Sequence, residues 1–214
     1  MFLDSAFSIH PSIHHFLVSL VRLRLSEHDQ HHPSSTYTMT SHYKPDDTLI
    51  EELTKKVDDN KITIKPKALA VTWGKDSRYW DINDKENKEG SITLNQVSWL
   101  EVTGSFSING LTCGKYNLNF KVALKPNAFG WQGTPVYFFV INPMSGKRIW
   151  KKRDLSTLKK DGKEASVPDD LNFEFTADPK PQVSQINFGL YEIWKGGWKG
   201  GLEIREVVIE KIKA

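Results

Sequence analysis

The sequence predicts an all-β fold, a two-sheet antiparallel β-sandwich of jelly-roll type that follows one short helix. Runs in which every second residue is apolar recur after residue 61, and such alternation is typical of strands with one buried face. Turn-forming residues separate these runs roughly every ten residues. Strands do not alternate with helices, so we do not expect a parallel sheet.

The chain is expected to have three parts: an arm over residues 1–45, a short helix with a linker over 46–61, and the sandwich domain over 62–214. The 214 residues suffice for one well-buried domain. The arm contains the apolar run FLVSLVRLRL, which is too short to span a membrane and lacks the features of a secretory signal. The polar stretch after this run predicts disorder.

Two questions about the arm stay open. Either Met39 is the true start of the protein, or the residues before it form a weak targeting segment. The cluster of His28, His31 and His32 is interpreted as part of a solvated tail, with a metal site as the alternative.

Residues 45–59 (PDDTLIEELTKKVDD) predict the helix, because they begin with acidic residues and then carry apolar residues at helical spacing. Residues 134–143 are a continuous apolar run that favours an interior strand. Residues 115–125 alternate strictly and predict a strand whose buried face consists of Tyr116, Leu118, Phe120, Val122 and Leu124.

The last part of the chain continues the alternation. Residues 185–193 place Ile186, Phe188 and Leu190 on one face. Residues 202–212 close the chain, and their alternation slips near Arg205, which predicts a bulge at residues 205–206. With the shorter runs ALAVTW, RYWDI, SITL, VSWLEVTGSF and KRIWKK, we expect about nine or ten strands.

Histidine is absent after residue 42. A His-based catalytic site or a Cys/His zinc site is therefore excluded from the globular part, unless the arm reaches over it. The motifs of nucleotide-binding, serine-hydrolase, zinc-protease and dithiol chemistry are missing. Glu101, Glu192 and Glu203 have the chemistry of a glycosidase, but no spacing pairs them. We expect no enzymatic activity, metal or cofactor.

The chain has one cysteine, Cys113, so it cannot form an intramolecular disulfide, and it has no N-glycosylation motif. Both features favour a reducing, cytosolic compartment. The net charge of +3 is too small to indicate a nucleic acid or membrane partner by itself.

The seven tryptophans are the main functional signal. Trp73, Tyr79 and Trp80 surround a turn-prone centre, and Trp194 and Trp198 lie in YEIWKGGWKGGLEI, where glycine and charge predict a loop. Loops of a rigid sandwich are where binding residues collect. An indole suits a sugar because the apolar face of a pyranose stacks on it, and a nearby carboxylate accepts hydrogen bonds from the hydroxyls.

A core position is the alternative for each tryptophan, and we assign Trp99 and Trp150 to the core because they lie in strand-like runs. In the doubled WKGG, we expect the glycine pairs to adopt positive φ angles. Trp194 is then the anchor of this loop against the sandwich, and Trp198 is the platform at its tip.

The segments ALAVTWGKDSRYWDI, VSWLEVTGSF and FGLYEIWKGGWKGGLEIREVVIE resemble the Nictaba-like plant lectins, also called the phloem protein 2 family, especially its cucurbit phloem-exudate members. The resemblance covers residues 64–212. It implies a β-sandwich lectin that binds N-acetylglucosamine oligomers (chitooligosaccharides) and the N-acetylglucosamine core of N-glycans. It also implies a homodimer in the cytoplasm, in phloem sieve-element sap. The basic run at 151–153 is shorter than the family's nuclear signal, so nuclear import stays open.

The resemblance also implies site residues. The family's two binding tryptophans, spaced T-W-x6-W, fall on Trp73 and Trp80. Its glutamate before the late tryptophan falls on Glu192, and that tryptophan falls on Trp198. A second family glutamate is replaced here by glutamine, which is uncharged and a weaker acceptor. With the tyrosine of the first segment, the predicted carbohydrate-binding set is Trp73, Tyr79, Trp80, Gln185, Glu192 and Trp198.

Two other functions stay open. The basic segment of residues 146–163 contains a tryptophan among lysines and arginines, a composition that suits RNA; an ordinary solvated loop is the alternative. A phloem protein that assembles by cross-linking would need several cysteines, whereas Cys113 alone could join only two chains.

Overall fold

Two antiparallel sheets form the fold in a computed structural model that describes residues 41–82, 89–109, 111–176 and 185–213. The predicted all-β sandwich is confirmed. These residues contain thirteen strands, several of only two to four residues. Alternation predicted fewer, about nine or ten. In chain order they are β1 Thr54–Asp58, β2 Lys61–Ile64, β3 Ala70–Val71, β4 Trp80–Asp81, β5 Ile92–Leu94, β6 Leu100–Ser107, β7 Gly114–Phe129, β8 Val136–Ile141, β9 Arg148–Arg153, β10 Ala165–Val167, β11 Asn172–Phe175, β12 Gln185–Glu192 and β13 Gly200–Lys211.

One sheet has five strands in the order β3-β6-β12-β8-β9. Ile186, Phe188 and Leu190 of β12 are fully buried, as the alternation predicted. The continuous apolar run forms β8, which pairs with β12 on one side and β9 on the other. Its interior position is therefore confirmed.

The other sheet has eight strands and is built around β7 and β13, which pair along most of their length. On the other edge of β13, the first half of the strand pairs with β5 and the second half pairs with β2. β5 pairs in turn with β4, and β2 pairs with β1. On the far edge of β7, β10 and β11 complete the sheet. The pairing of β13 with β7 shifts between Ile204 and Glu206, which confirms the predicted bulge.

The helix, α1, is shorter than predicted and spans Asp47–Leu53. The carboxylate of Asp46 caps it by accepting the Leu49 N–H at 2.8 Å. The predicted short helix is confirmed, but it ends at Leu53 and not near residue 59, because the chain from Thr54 onward forms β1 and pairs with β2. Sheet pairing satisfies these backbone groups in place of the helix, and Val57 is left 58% exposed.

The outer face of the five-stranded sheet carries an aromatic stack of Phe139, Trp150 and Tyr191, which we call the outer cluster. The rings of Phe139 and Tyr191 are 5.1 Å apart and almost parallel, and Trp150 lies 5.2 Å from Phe139. The Arg148 guanidinium lies 4.8 Å from the Phe139 ring. Trp150 is 38% exposed, so its assignment to the core is wrong: alternation along β9 turns it outward.

Predictions about the arm, including Met39 and the histidine cluster, fall on residues outside the described part of the chain. Within the described ranges, no helix is long and apolar enough to cross a membrane. No group of three His, Cys, Asp or Glu side chains that could hold a metal occurs among those same residues.

Candidate functional site

The doubled WKGG lies where the chain crosses from β12 in the five-stranded sheet to β13 in the eight-stranded sheet. We call residues 193–199 the hairpin loop for the reversal of the chain, since β12 and β13 do not pair with each other. Gly196 has a φ of 65°, so a glycine of this stretch does adopt the left-handed conformation. Trp194 and Trp198 are 50% and 52% exposed. Trp194 packs edge-on against Tyr137 of β8, with ring centroids 4.8 Å apart, which is the contact expected of an anchor.

A buried ion pair closes the base of the hairpin loop. Nζ of Lys199 lies 2.5 Å from Oε2 of Glu192, and the two side chains are 0% and 1% exposed. The other oxygen of Glu192 accepts the Lys195 N–H at 2.9 Å, and Lys199 also donates to the Ser98 carbonyl at 3.0 Å. Because each buried charge depends on its partner, the pair fixes both ends of the loop.

The connection between β7 and β8 contacts the backbone of the hairpin loop and of the residue that follows it. Trp131 is 2% exposed, and its indole N–H donates to the Gly200 carbonyl at 2.9 Å. A Cβ added to Gly130 would lie only 2.0 Å from the Trp198 carbonyl oxygen. The two backbones therefore touch, and the position of Trp198 depends on the connection between β7 and β8.

Residues 72–79, between β3 and β4, form the second part of the site. Trp73 has a φ of 63°, which is rare for a bulky residue, and its N–H donates to Nδ1 of His42 at 3.1 Å. Arg78 pairs with Asp76 and lies 5.4 Å from the Tyr79 ring. Hydrogen bonds from Arg78 hold the pKa of the Asp76 carboxyl below its ordinary value, so a charged pair lies beside the Tyr79 ring.

Four partly exposed rings follow one another across these segments: His42, Trp73, Tyr79 and Trp198, which we call the aromatic row. The successive ring centroids are 5.1, 6.0 and 6.3 Å apart. The planes of Tyr79 and Trp198 are nearly parallel, with an angle of 24° between them. The planes of His42 and Trp73 make an angle of 55°, and those of Trp73 and Tyr79 one of 57°. Such a row suits a ligand made of successive rings that each have an apolar face.

Three of the six predicted binding residues, Trp73, Tyr79 and Trp198, belong to the aromatic row. Trp80 does not: it is 0% exposed, because β4 turns its side chain into the core. Its indole N–H has no hydrogen-bond partner among the described residues. In this conformation Trp80 offers no face on which a sugar could stack.

Glu192 and Gln185 occupy opposite ends of β12, about 23 Å apart at ~3.3 Å per residue. Oε1 of Glu192 accepts the Lys195 N–H, and Oε2 makes the ion pair with Lys199 but no hydrogen bond among the described residues. Gln185 is exposed but far from the hairpin loop. Direct sugar contacts by Trp80, Glu192 and Gln185 remain predictions, and this geometry does not support them.

The three glutamates considered for glycoside hydrolysis do not form a pair either. Glu101 lies opposite Tyr191 in the β6–β12 register, one position away from Glu192, so the two carboxylates point to opposite faces of the sheet. Glu101 accepts the indole N–H of half-buried Trp99 at 3.0 Å. Glu203 lies in the other sheet.

The family model described as Phloem protein 2 matches residues 59–211. The chain belongs to the phloem protein 2 family. Protein PHLOEM PROTEIN 2-LIKE A9 of Arabidopsis thaliana is 34% identical over 183 residues, which cover 81% of this chain and 97% of that protein. Protein PHLOEM PROTEIN 2-LIKE A1 of the same plant is 33% identical over 67% of this chain and 58% of its own length. A Luffa acutangula protein named Lectin is 28% identical over 36% of this chain and 39% of that protein.

Sequence reasoning missed two residues of this phloem protein 2 family member, His42 and Lys199. A signal for Lys199 existed, since a glutamate at the end of an apolar strand pattern requires a cation nearby. No comparable signal existed for His42, which lies before the matched range. Its contact with Trp73 depends on strand pairing between Tyr43 and Val71, which local patterns do not show.

Ion pairs neutralise part of the basic segment of residues 146–163. Arg153 pairs with Asp169 and Asp170, and Lys151 also pairs with Asp170. The surface of this phloem protein 2 family member is therefore less positive there than the sequence suggests.

Proposed function

We propose that the protein is a carbohydrate-binding lectin that binds N-acetylglucosamine oligomers and the N-acetylglucosamine core of N-glycans without transforming them. The aromatic row carries the proposal, because its partly exposed rings follow one another at 5.1 to 6.3 Å. Membership of the phloem protein 2 family and the relative named Lectin support carbohydrate as the ligand class.

In this proposal, pyranose units pack their apolar C–H faces against Trp198, Tyr79 and Trp73, and burial of that apolar surface supplies much of the affinity. The charged pair of Asp76 and Arg78 beside Tyr79 offers acceptors and donors to hydroxyl and N-acetyl groups. The ligand is neutral, so shape and stacking rather than net charge determine binding.

Two of the predicted residues act indirectly in this proposal. Glu192 holds the hairpin loop through Lys199, with both side chains buried. Trp80 follows Tyr79 directly and is buried, so it fixes the end of the segment that carries Trp73 and Tyr79. Both are therefore positioning residues rather than surfaces for the sugar.

Trp198→Ala tests the proposal, and Trp194→Ala is its matched control, because both residues lie in the hairpin loop with 52% and 50% exposure. We expect Trp198→Ala to weaken chitotriose binding about tenfold, since loss of one stacked ring removes ~1.5 kcal/mol. Trp194→Ala should leave the affinity nearly unchanged. Titration calorimetry measures both, and thermal unfolding checks that the variants fold.

Equal affinity of wild type and folded Trp198→Ala would place the sugar elsewhere. A larger loss with Trp194→Ala than with Trp198→Ala would show that anchor and platform are assigned the wrong way round.

RNA binding by residues 146–163 is the alternative function. Trp150 is exposed on the outer face of β9, between outward-facing Arg148 and Lys152, an arrangement that suits base stacking beside phosphate contacts. The ion pairs of Arg153 and Lys151 reduce the charge available for phosphates, so the aromatic row is favoured.

The proposal also includes a homodimer and a location in the cytoplasm, in phloem sieve-element sap. Family membership supports the phloem location. Light scattering coupled to size-exclusion chromatography tests the dimer, and a monomer at all accessible concentrations would contradict it.

A further inference from the structure

Residues 41–43 dock on the free edge of β3, the edge strand of the five-stranded sheet. Tyr43 and Val71 exchange two backbone hydrogen bonds of 2.9 Å, and the Lys75 N–H donates to the Ser41 carbonyl at 2.9 Å. The Tyr43 hydroxyl donates to the Lys67 carbonyl at 2.8 Å. These contacts add a short strand segment beside the loop that carries Trp73.

The same docking places His42 against Trp73. Nδ1 of His42 accepts the Trp73 N–H at 3.1 Å, and the two ring centroids are 5.1 Å apart. Trp73 is in the left-handed region with a φ of 63°, and the hydrogen bond satisfies its N–H in that conformation. A Cβ at Gly74 would lie 2.6 Å from Cβ of Tyr43, so the docked segment packs closely against the loop.

We propose that residues 41–43, which precede the family-matched range 59–211, belong to the carbohydrate site, and that His42 lines its outermost subsite. This inference rests on the proposed lectin function. His42 is exposed and ends the aromatic row opposite Trp198. Because His42 is the last ring of the row, with Trp73 5.1 Å away as its neighbour, it meets a sugar unit that only longer oligomers possess.

His42 thus has two separable roles. Its ring contacts the terminal sugar unit, and its Nδ1 positions Trp73 for the next one. Asparagine separates these roles, because its side-chain oxygen can accept the Trp73 N–H but offers no ring. Lys44, exposed directly after this segment, provides a control position.

The experiment measures affinities for the di-, tri- and tetrasaccharides of β-1,4-linked N-acetylglucosamine by calorimetry, using full-length wild type, His42→Asn, His42→Ala and Lys44→Ala. We expect wild-type affinity to rise with length. His42→Asn should bind the disaccharide as tightly as wild type does. It should lose the gain in affinity that the longest oligomer brings, about two- to tenfold, because one aromatic contact contributes that much. His42→Ala should lose that increment and also weaken shorter oligomers, and Lys44→Ala should match wild type.

The outcomes separate the two proposals. Absence of binding of any oligomer to wild type overturns the lectin function. Wild-type binding with an unchanged length dependence in His42→Asn and His42→Ala overturns only the subsite. An equal loss at every length in His42→Asn also overturns the subsite, because His42 would then lie away from the end of the ligand.

Discussion

At the scale of single residues, the buried ion pair of Glu192 and Lys199 makes either partner costly to lose. Both side chains are almost completely buried, and loss of one partner leaves an uncompensated charge in the interior. The resemblance to the lectin family placed Glu192 at the sugar, whereas its engaged oxygens indicate a role in holding the hairpin loop.

Glu192→Gln should lower the free energy of unfolding by about 3–5 kcal/mol, because Lys199 would remain buried without its partner. Urea denaturation measures this. Asp59→Asn, which removes the exposed i,i+3 partner of Lys56, should have little effect. Similar small changes in the two variants would contradict the importance of the buried pair.

Double substitution separates stability from binding. Glu192→Leu with Lys199→Met removes both charges and should recover much of the stability, because apolar replacements of buried pairs are often well tolerated. If Glu192 acts only by holding the hairpin loop, an apolar pair that holds the loop as firmly keeps the affinity for chitotriose. Loss of binding at wild-type stability would show instead that the carboxylate contacts the sugar.

Tyr191, in the outer cluster, shows a different residue-scale effect. Burial, together with the negative charge of Glu101, raises the pKa of its hydroxyl from 10.0 to about 12. A phenol whose pKa is higher in the folded chain binds its proton more tightly there. Its contribution to stability is therefore complete below pH 10 and is lost as the pH rises from about 10 to about 12.

Tyr191→Phe should remove this dependence on pH. Between pH 9.5 and 12, wild type should lose about 2 to 3 kcal/mol of unfolding free energy more than Tyr191→Phe, since each pKa unit corresponds to ~1.4 kcal/mol. Chemical denaturation over this range tests it. Parallel curves for the two proteins would show that the hydroxyl is not shielded by the cluster.

At the scale of elements, the site is assembled from connections that hold one another. The β7–β8 connection contacts the hairpin loop at Gly130, and residues 41–43 dock on the loop that carries Trp73. The aromatic row is thus positioned by backbone contacts between segments distant in sequence.

Gly130→Ala should disturb the hairpin loop, whereas Gly133→Ala should not. Both glycines have positive φ, 78° and 67°, but a Cβ meets the Trp198 carbonyl oxygen at 2.0 Å at Gly130 and nothing within 4 Å at Gly133. The backbone strain, about 1 kcal/mol, is common to both. Gly130→Ala alone should weaken chitotriose binding, measured by calorimetry; equal affinities of the two variants would contradict support of Trp198 by this connection.

Elements with strict patterns were predictable from the sequence, and contacts between loops were not. Alternation identified the buried faces of β7 and β12 and the bulge after Ile204. The end of the helix was predicted six residues too late, because the apolar spacing of the helix runs on into the short strand β1. Strand β10 has three residues, too few to show alternation, and the alternation of the four-residue strand β11 was overlooked.

In the candidate site, composition identified three rings of the aromatic row but not their neighbours. Glycine and charge around Trp198 indicated a loop, and the structure leaves Trp198 half exposed. The same context surrounded Trp80, which is buried, because local sequence does not specify which face of a two-residue strand points inward. His42 became visible only through pairing across the sheet edge.

At the scale of the whole molecule, charge separates the two candidate functions. The net charge is only +3, and a neutral oligosaccharide releases no counterions on binding. Affinity for chitotriose should therefore change less than about twofold between 50 mM and 500 mM salt. Any RNA binding should fall by orders of magnitude over that range. Calorimetry and filter binding measure the two, and a steep salt dependence of sugar binding would contradict stacking on the aromatic row.

The position of β13 has a consequence for how the protein is made. It is the last strand in the sequence, yet it joins β7 to both β2 and β5. On the ribosome, these three strands lack their shared partner until residues 200–211 emerge. The apolar faces of the strands already made therefore stay uncovered until β13 follows them, and closure of the sheet depends on contacts between residues far apart in the sequence, which are slow to form.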